Sequence, residues 1–331
     1  MVFALFLILS AAFEESFRAG LLALQRNDLK TASTSLSAAA KLEPGNARVW
    51  IALAQTYRKL NEHAKADAAA ANAVRLGPKD ALVQKSLAIY YSESQQILPA
   101  AEAQSRYSRL NPQDAAGRER AESLYFEAVQ PLLQQQKFAA AIAILRQARE
   151  RLDASPQLEL ALGVAYYGLR QFDEATSAFL ATIAMAPEIE QPYRFLAKSL
   201  DQIPGRLPEV MRAFVKYETA HPDRAMGYLL HAQALNAQSP DPEAAQQLLE
   251  KAVSLDERDP VAHFELGAIF FRQQRYADAA REFERSALLD PVNSATHYRL
   301  SNVYSRLGKP EAAQAERDLH AKLVKAQDGK K

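Results

Sequence analysis

Cysteine is absent from all 331 residues. That excludes a disulfide scaffold, a thiolate metal site and a cysteine nucleophile together. Glycine is sparse at 11 residues, and none of it gathers into a loop that could cradle a phosphate. No Gly-x-Ser-x-Gly and no His-Glu-x-x-His pattern occurs, so a nucleophilic serine elbow and a helix-borne zinc pair are both unsupported. Neither sign of charge dominates: 40 basic residues face 39 acidic ones, for a net +1. A basic face for nucleic acid is therefore not indicated. Runs of β-branched residues are also lacking. Alanine is abundant instead, and helix formers dominate most windows.

Long apolar runs are missing except at the start, where the chain reads MVFALFLILSAA. This segment, residues 1–12, is too short to span a bilayer as a helix. It has the look of the apolar core of a secretory signal, with Ser10-Ala11-Ala12 as the small-residue cleavage site. No Lys or Arg precedes the run, so the signal is incomplete. The expectation is an exported, periplasmic bacterial protein; a cytoplasmic one, with this segment folded as a first helical turn, is the alternative.

What is present is a repeat. The stretch PVAHFELGAIFFRQQRYADAAREFERSALLDP, Pro260 to Pro291, reads as helix, short turn (Arg272 to Arg275) and helix. Stepping back from Pro291 gives anchors at Glu257, Pro222, Pro187, Asp153, Pro112, Pro78 and Pro44. From Pro44 onward their spacings are 34, 34, 41, 34, 35, 35 and 34 residues. A period near 34 is the sign of stacked helical hairpins. Within the units the same positions recur: Trp50, Leu53, Ala54, Tyr57; Leu87, Ala88, Tyr91; Leu162, Gly163, Tyr166; Leu266, Gly267, Phe270; Leu300, Tyr304. Asn46, Asp80, Ser155, Asp241, Asp259 and Asn293 stand where helices should start.

These positions resemble the tetratricopeptide repeat (TPR) motif, with a large residue at slot 4, Leu at 7, Gly or Ala at 8, Tyr at 11, Ala at 20 and Pro at 32. The resemblance covers roughly residues 13–327, about nine units. It implies an all-α fold, a right-handed superhelical α-solenoid of helix-turn-helix hairpins. Repeats 1–3 occupy 13–114, a longer irregular repeat 4 occupies 115–155, and repeats 5–9 with a polar capping helix occupy 156–327. A charged tail, 328–331, follows. The extra length of repeat 4 falls either before its first helix or at that helix's start, and Pro131 lies inside the helix and should kink it. Repeats 6 and 7 each gain one residue in proline-bearing internal turns, QIPGRLPEV and QSPDPEAA.

No catalytic, metal or cofactor site is indicated. His263 and His297 share slot 4 of adjacent repeats and should pack as the missing Trp or Tyr. Gly20, Gly163 and Gly267 fall at slot 8 and should serve helix packing. Paired carboxylates such as Glu14-Glu15 and Asp256-Glu257 fall at helix ends, where they complement dipoles.

What remains is a surface. In the family, slots 2, 5, 9 and 12 of the first helices line a concave groove. The resemblance assigns Arg48, Gln55, Arg58 and Lys85 to it from repeats 2 and 3, and Arg194 and Lys198 from repeat 6, with Asp201 one turn on. Repeats 8 and 9 supply Phe264, Phe271, Tyr298 and Asn302, flanked by Arg272 and Arg306. A peptide segment of another protein could rest apolar side chains on Phe264, Phe271 and Tyr298, while Asn302 and the arginines take its backbone or carboxylates. For Phe264 and Tyr298, packing against the next repeat is an equal alternative. The paired-carboxylate clamp of some TPR domains is not matched, because Leu229, Leu230 and Gln233 follow Arg194 and Lys198. The expected function is a non-enzymatic interaction scaffold. The alternative is a regulatory or substrate-recognition subunit of an enzyme or envelope assembly on another chain.

Overall fold

The computed structural model describes residues 2–238 and 241–328, with side chains for 10–238 and 241–326. Every regular element there is helical: eighteen α-helices and two short 3-10 turns.

Local chemistry sets where the helices begin. Asn46, Asp80, Ser155, Asp241, Asp259 and Asn293 all act as N-caps, each side-chain oxygen accepting from a backbone N–H two or three residues on. Asp28 and Asp114 do the same. Each cap satisfies a donor that the first helical turn leaves unpaired, worth about 1 kcal/mol. The turns inside the hairpins share a second device. Asn27, Asn61, Gln95, Gln136, Gln274 and Gly308 have φ between 56° and 68°. The next backbone N–H then reaches back to a helix carbonyl five residues earlier, as from Glu62 to Tyr57 and from Arg275 to Phe270, both at 2.9 Å.

The chain forms two units, residues 1–169 and 170–331. The first holds α1 (Val2–Gln25), α2 (Leu29–Leu42), α3 (Ala47–Lys59), α4 (His63–Leu76), α5 (Ala81–Glu93), α6 (Ile97–Leu110), α7 (Ala115–Gln134), α8 (Phe138–Arg151) and α9 (Pro156–Gly168). The second holds α10 (Phe172–Met185), α11 (Gln191–Lys198), α12 (Leu207–Ala220), α13 (Ala225–Gln238), α14 (Pro242–Leu255), α15 (Pro260–Arg272), α16 (Tyr276–Leu289), α17 (Ser294–Arg306) and α18 (Pro310–Asp328).

Within each unit successive hairpins stack, as the repeat pattern requires. In the first, buried Phe13, Leu36, Leu53, Leu87 and Ala103 join α1 to α6 in one cluster. In the second, Leu229, Leu249, Leu266, Phe283 and Val303 join α13 to α17. Gly20 and Gly267, at slot 8, do what their size suggests. A Cβ on Gly20 would lie 2.6 Å from Leu36 Cγ, and one on Gly267 3.0 Å from the buried Phe283 ring.

Three irregular places resolve differently. The extra residues of repeat 4 lengthen its first helix at the start: α7 has 20 residues against 13 in α3 and α5. Pro131 lies inside α7. In repeat 6 the expected one-residue turn insertion is instead a truncated helix. α11 has only 8 residues, and 3-10 turns at Leu200–Gln202 and Pro204–Arg206 follow. Pro204 has no N–H to bond the Leu200 carbonyl and disfavours the α conformation at Ile203, which sits at φ −129°, ψ 45°. Asp201 is therefore in a 3-10 turn rather than one turn further along the helix of Lys198. In repeat 7 the expected turn insertion includes residues 239 and 240, which lie outside the described residues.

The signal expectation also falls largely outside them, since Met1 and the side chains of residues 2–9 are not described. The backbone of α1 is helical from Val2 through Gln25, without a break at Ser10-Ala11-Ala12. Among the described residues no helix is long and apolar enough to cross a membrane.

Candidate partner-binding surface

The residues assigned to the groove divide between the units: Arg48, Gln55, Arg58 and Lys85 lie in the first, the other eight in the second.

In the first unit the arginines are already engaged. Arg48 Nε donates to Asp80 Oδ2 at 2.8 Å, and the other oxygen of Asp80 accepts from the backbone N–H of Leu82 and Val83. Burial would raise the Asp80 pKa, but Arg48 and those backbone donors prevail and hold it below the usual carboxylate range. Arg58 pairs with Glu93. The Lys85 ammonium sits 5.4 Å from the centroid of the Tyr107 ring. What the structure adds is a cavity of about 450 Å³ formed by α1, α3 and α5, lined by Leu21, Leu24, Gln55, Arg58, Lys59, Ile89 and Glu93. Leu21 is 37% exposed and Ile89 47%. Sequence reasoning passed over these two leucines, Ile89 and Lys59. Yet Leu21 and Ile89 directly follow the slot-8 residues Gly20 and Ala88, so slot 9 was the signal that could have found them.

In the second unit the aromatics separate. Phe264 is half buried and meets Phe283 edge-on, centroids 5.6 Å apart. Phe271 is half buried and meets Tyr276 edge-on at 5.5 Å. Tyr298 is 51% exposed, with one ring face tilted toward His320 at 5.5 Å. Asn302, on the same helix, is half buried, and Arg306 is exposed. Arg272 donates to Asn236 Oδ1 at 3.0 Å, linking α15 to α13. Gln233 of α13 donates to Glu265 of α15 at 3.1 Å. Burial pushes the Glu265 carboxyl above its usual range, with Gln233, Arg272 and Arg299 opposing. Gln233, Asn236 and Glu265 were not foreseen as surface partners. Arg194 pairs with Glu190 at 3.0 Å, and Lys198 stands exposed at the end of the shortened α11.

Among the described residues no group of three or more His, Asp or Glu could hold a metal ion. The recess between α1, α3 and α5 sets Leu21, Leu24 and Ile89 beside charged and amide side chains.

Two family profiles, both described as Tetratricopeptide repeat, match residues 126–189 and 237–296 in one case and 23–89 in the other. Intraflagellar transport protein 70A of Xenopus tropicalis is 25% identical over 168 residues, which is 50% of this chain and 25% of that protein. The chain thus matches about a quarter of the length of this curated relative. Among solved structures, MamA 41-end from Desulfovibrio magneticus RS-1 is 20% identical, covering 52% of this chain and 96% of that one, with a TM-score of 0.43. The Cut9–Hcn1 hetero-tetramer of APC/C gives 16% identity, 94% and 87% coverage and a TM-score of 0.44.

Proposed function

Because the chain belongs to the tetratricopeptide repeat family, we propose that it is a non-catalytic scaffold that holds a peptide-like segment of another protein against the first-helix faces of its hairpins. One observation carries this reading: the recess between α1, α3 and α5, where Leu21, Leu24 and Ile89 leave apolar surface open beside Lys59 and the Arg58–Glu93 pair. Isolated hydrophobic side chains on a surface need no explanation, but three converging on one concavity from two helices, α1 and α5, do. Tyr298 is the corresponding open aromatic of the second unit. Phe264 and Phe271 shape the surface beside it from partly buried positions.

The test is capture of partners by the intact protein, followed by crosslinking to map the contact. Ile89→Glu and Tyr298→Ala alter exposed side chains, so each should leave helical content unchanged and reduce capture of a given partner. If a variant carrying both changes folds and retains every partner at full yield, the surface is assigned wrongly. Recovery of chiefly one enzyme, with its rate altered on binding, would replace the scaffold reading by that of a regulatory subunit. Export of the protein is a separate proposal, resting on the apolar MVFALFLILSAA opening; N-terminal sequencing of the mature protein tests it, and a chain isolated from the cytoplasm beginning at Met1 would overturn it.

A further inference from the structure

In five of the repeats slot 4 of the first helix performs one task. Trp50 Nε1 donates to the Pro44 carbonyl at 2.8 Å, Tyr193 Oη to Pro187 at 3.2 Å and Tyr228 Oη to Pro222 at 3.1 Å. The acceptor is always six residues back, in the loop that enters the helix. In α15 and α17 histidine holds the slot and meets the same carbonyl. His263 Nε2 lies 3.2 Å from the Glu257 oxygen, and His297 Nε2 lies 3.0 Å from that of Pro291.

A neutral imidazole has one N–H, and this contact uses it. Each ring faces a second acceptor, however. His263 Nδ1 is 2.7 Å from Glu282 Oε2, and His297 Nδ1 is 2.6 Å from Glu316 Oε2. Two acceptors require two N–H groups. A neutral ring in either place would aim a lone pair at a carboxylate or a carbonyl at hydrogen-bond distance. Both rings are buried, 6% and 4% exposed, so water does not readily substitute. The carboxylate stands 19 residues beyond the histidine in both repeats, on the second helix of the same hairpin. Where slot 4 is Trp50, Tyr193 or Tyr228, the residue that far on is Ala69, Arg212 or Gln247. The acid thus accompanies the second donor.

We propose that His263 is an imidazolium ion that latches α15 to α16, so that this hairpin loosens as the ring loses its proton, while hairpins closed by Trp or Tyr do not; His297 repeats the same two-acceptor geometry between α17 and α18. This goes beyond partner binding and does not depend on it. The groups bearing on His263 are Glu282 and Arg285, both on α16, with only the Glu257 carbonyl from the loop ahead of α15. His297 faces Glu316 of α18 and the Pro291 carbonyl. The titratable group that α16 sends toward α17 is Glu284, which accepts from Tyr304 at 2.8 Å.

The sign follows from linkage. The Glu282 hydrogen bond raises the His263 pKa above the ordinary histidine value, outweighing burial, which lowers it. A raised pKa in the folded state means the stabilisation is complete below the unfolded value of about 6.5 and is lost as pH rises through the folded one.

The experiment uses the full chain. Hydrogen exchange, corrected for intrinsic rates, is followed from about pH 5.5 to about 8.5, a range that brackets histidine titration. Local opening in α15–α16 should rise with pH by up to about tenfold per unit between the unfolded value of about 6.5 and the folded one, and level off above it, while α3–α4 stays level. The His263→Tyr variant restores the single donor of the other hairpins and should remove the pH dependence of α15–α16. Ring-nitrogen chemical shifts of the unmodified protein supply a reading that needs no variant: the His263 ring should be mostly doubly protonated at about pH 6.5, where a free imidazole is half charged. A neutral His263 ring at that pH, or the same pH dependence in the Tyr variant, would overturn the latch.

Discussion

The indole nitrogen of Trp50 donates to the carbonyl oxygen of Pro44 across 2.8 Å, tying the start of α3 to the loop that leaves α2. Trp50→Phe keeps most of the apolar surface and deletes the donor. Its expected cost is about 0.5–1.5 kcal/mol, the net worth of one such bond. Tyr193 and Tyr228 make the same contact through a hydroxyl, so Trp50→Tyr should cost less than Trp50→Phe. Urea denaturation of the two variants decides the order.

Gln274 and Gly308 hold the same left-handed turn in adjacent hairpins, at φ 63° and 68°. A side chain there carries a steric penalty of about 1–2 kcal/mol that glycine escapes. Part of this is offset by the greater freedom glycine has when unfolded, about 0.4–1 kcal/mol. Gln274→Gly should therefore raise the melting temperature slightly and Gly308→Ala lower it, as read by circular dichroism.

Gly227 is a closer contact than its slot would suggest. A Cβ there would stand 2.7 Å from Glu218 Cα, a backbone atom of α12. Alanine gains about 1 kcal/mol of helix propensity over glycine, but the two helices must separate to admit it, at a typical overpacking cost of about 1–3 kcal/mol. At Gly267 the nearest atoms belong to the Phe283 ring, at 3.0 Å, which can yield by a few tenths of an ångström. Gly227→Ala is expected to destabilise the protein more than Gly267→Ala in parallel thermal melts.

Arg149 grips Glu159 with two parallel bonds, Nε to Oε1 at 2.7 Å and Nη2 to Oε2 at 2.6 Å. The glutamate side chain is only 11% exposed. Arg149→Ala strands that carboxylate and should cost about 1–3 kcal/mol. Replacing both partners with Met and Leu leaves no buried charge, so the double variant should be more stable than Arg149→Ala alone. A double-mutant cycle in chemical denaturation checks this.

Much of the architecture was legible in the residues because it depends on short-range rules. Asp259 followed by Pro260 marks a helix start through local hydrogen bonding. Leu266, Gly267 and Phe270 mark a packed face through helical spacing. Repetition near 34 residues then turns weak local signals into one strong one. The shortening of α11 was harder to read, since Pro204 lay in a stretch that also fitted a turn one residue longer than usual.

The surface was less legible. Phe264 and Tyr298 occupy equivalent slots, yet one is edge-on to Phe283 and the other is half open. Arg48 and Arg58 looked free for a partner, and both have one inside the chain, Asp80 and Glu93.

The sequence alone determined that the protein is a stack of helical hairpins, where six of the helices start, and that Gly20 and Gly267 let helices meet, because caps, periodicity and side-chain volume act within one repeat. Only the tertiary structure decided which groove residues are engaged, that Leu21, Leu24 and Ile89 converge, and that two slot-4 histidines each face a second acceptor. Those outcomes depend on contacts between residues 19 to 35 positions apart or on neighbouring helices, whose partners no local pattern specifies.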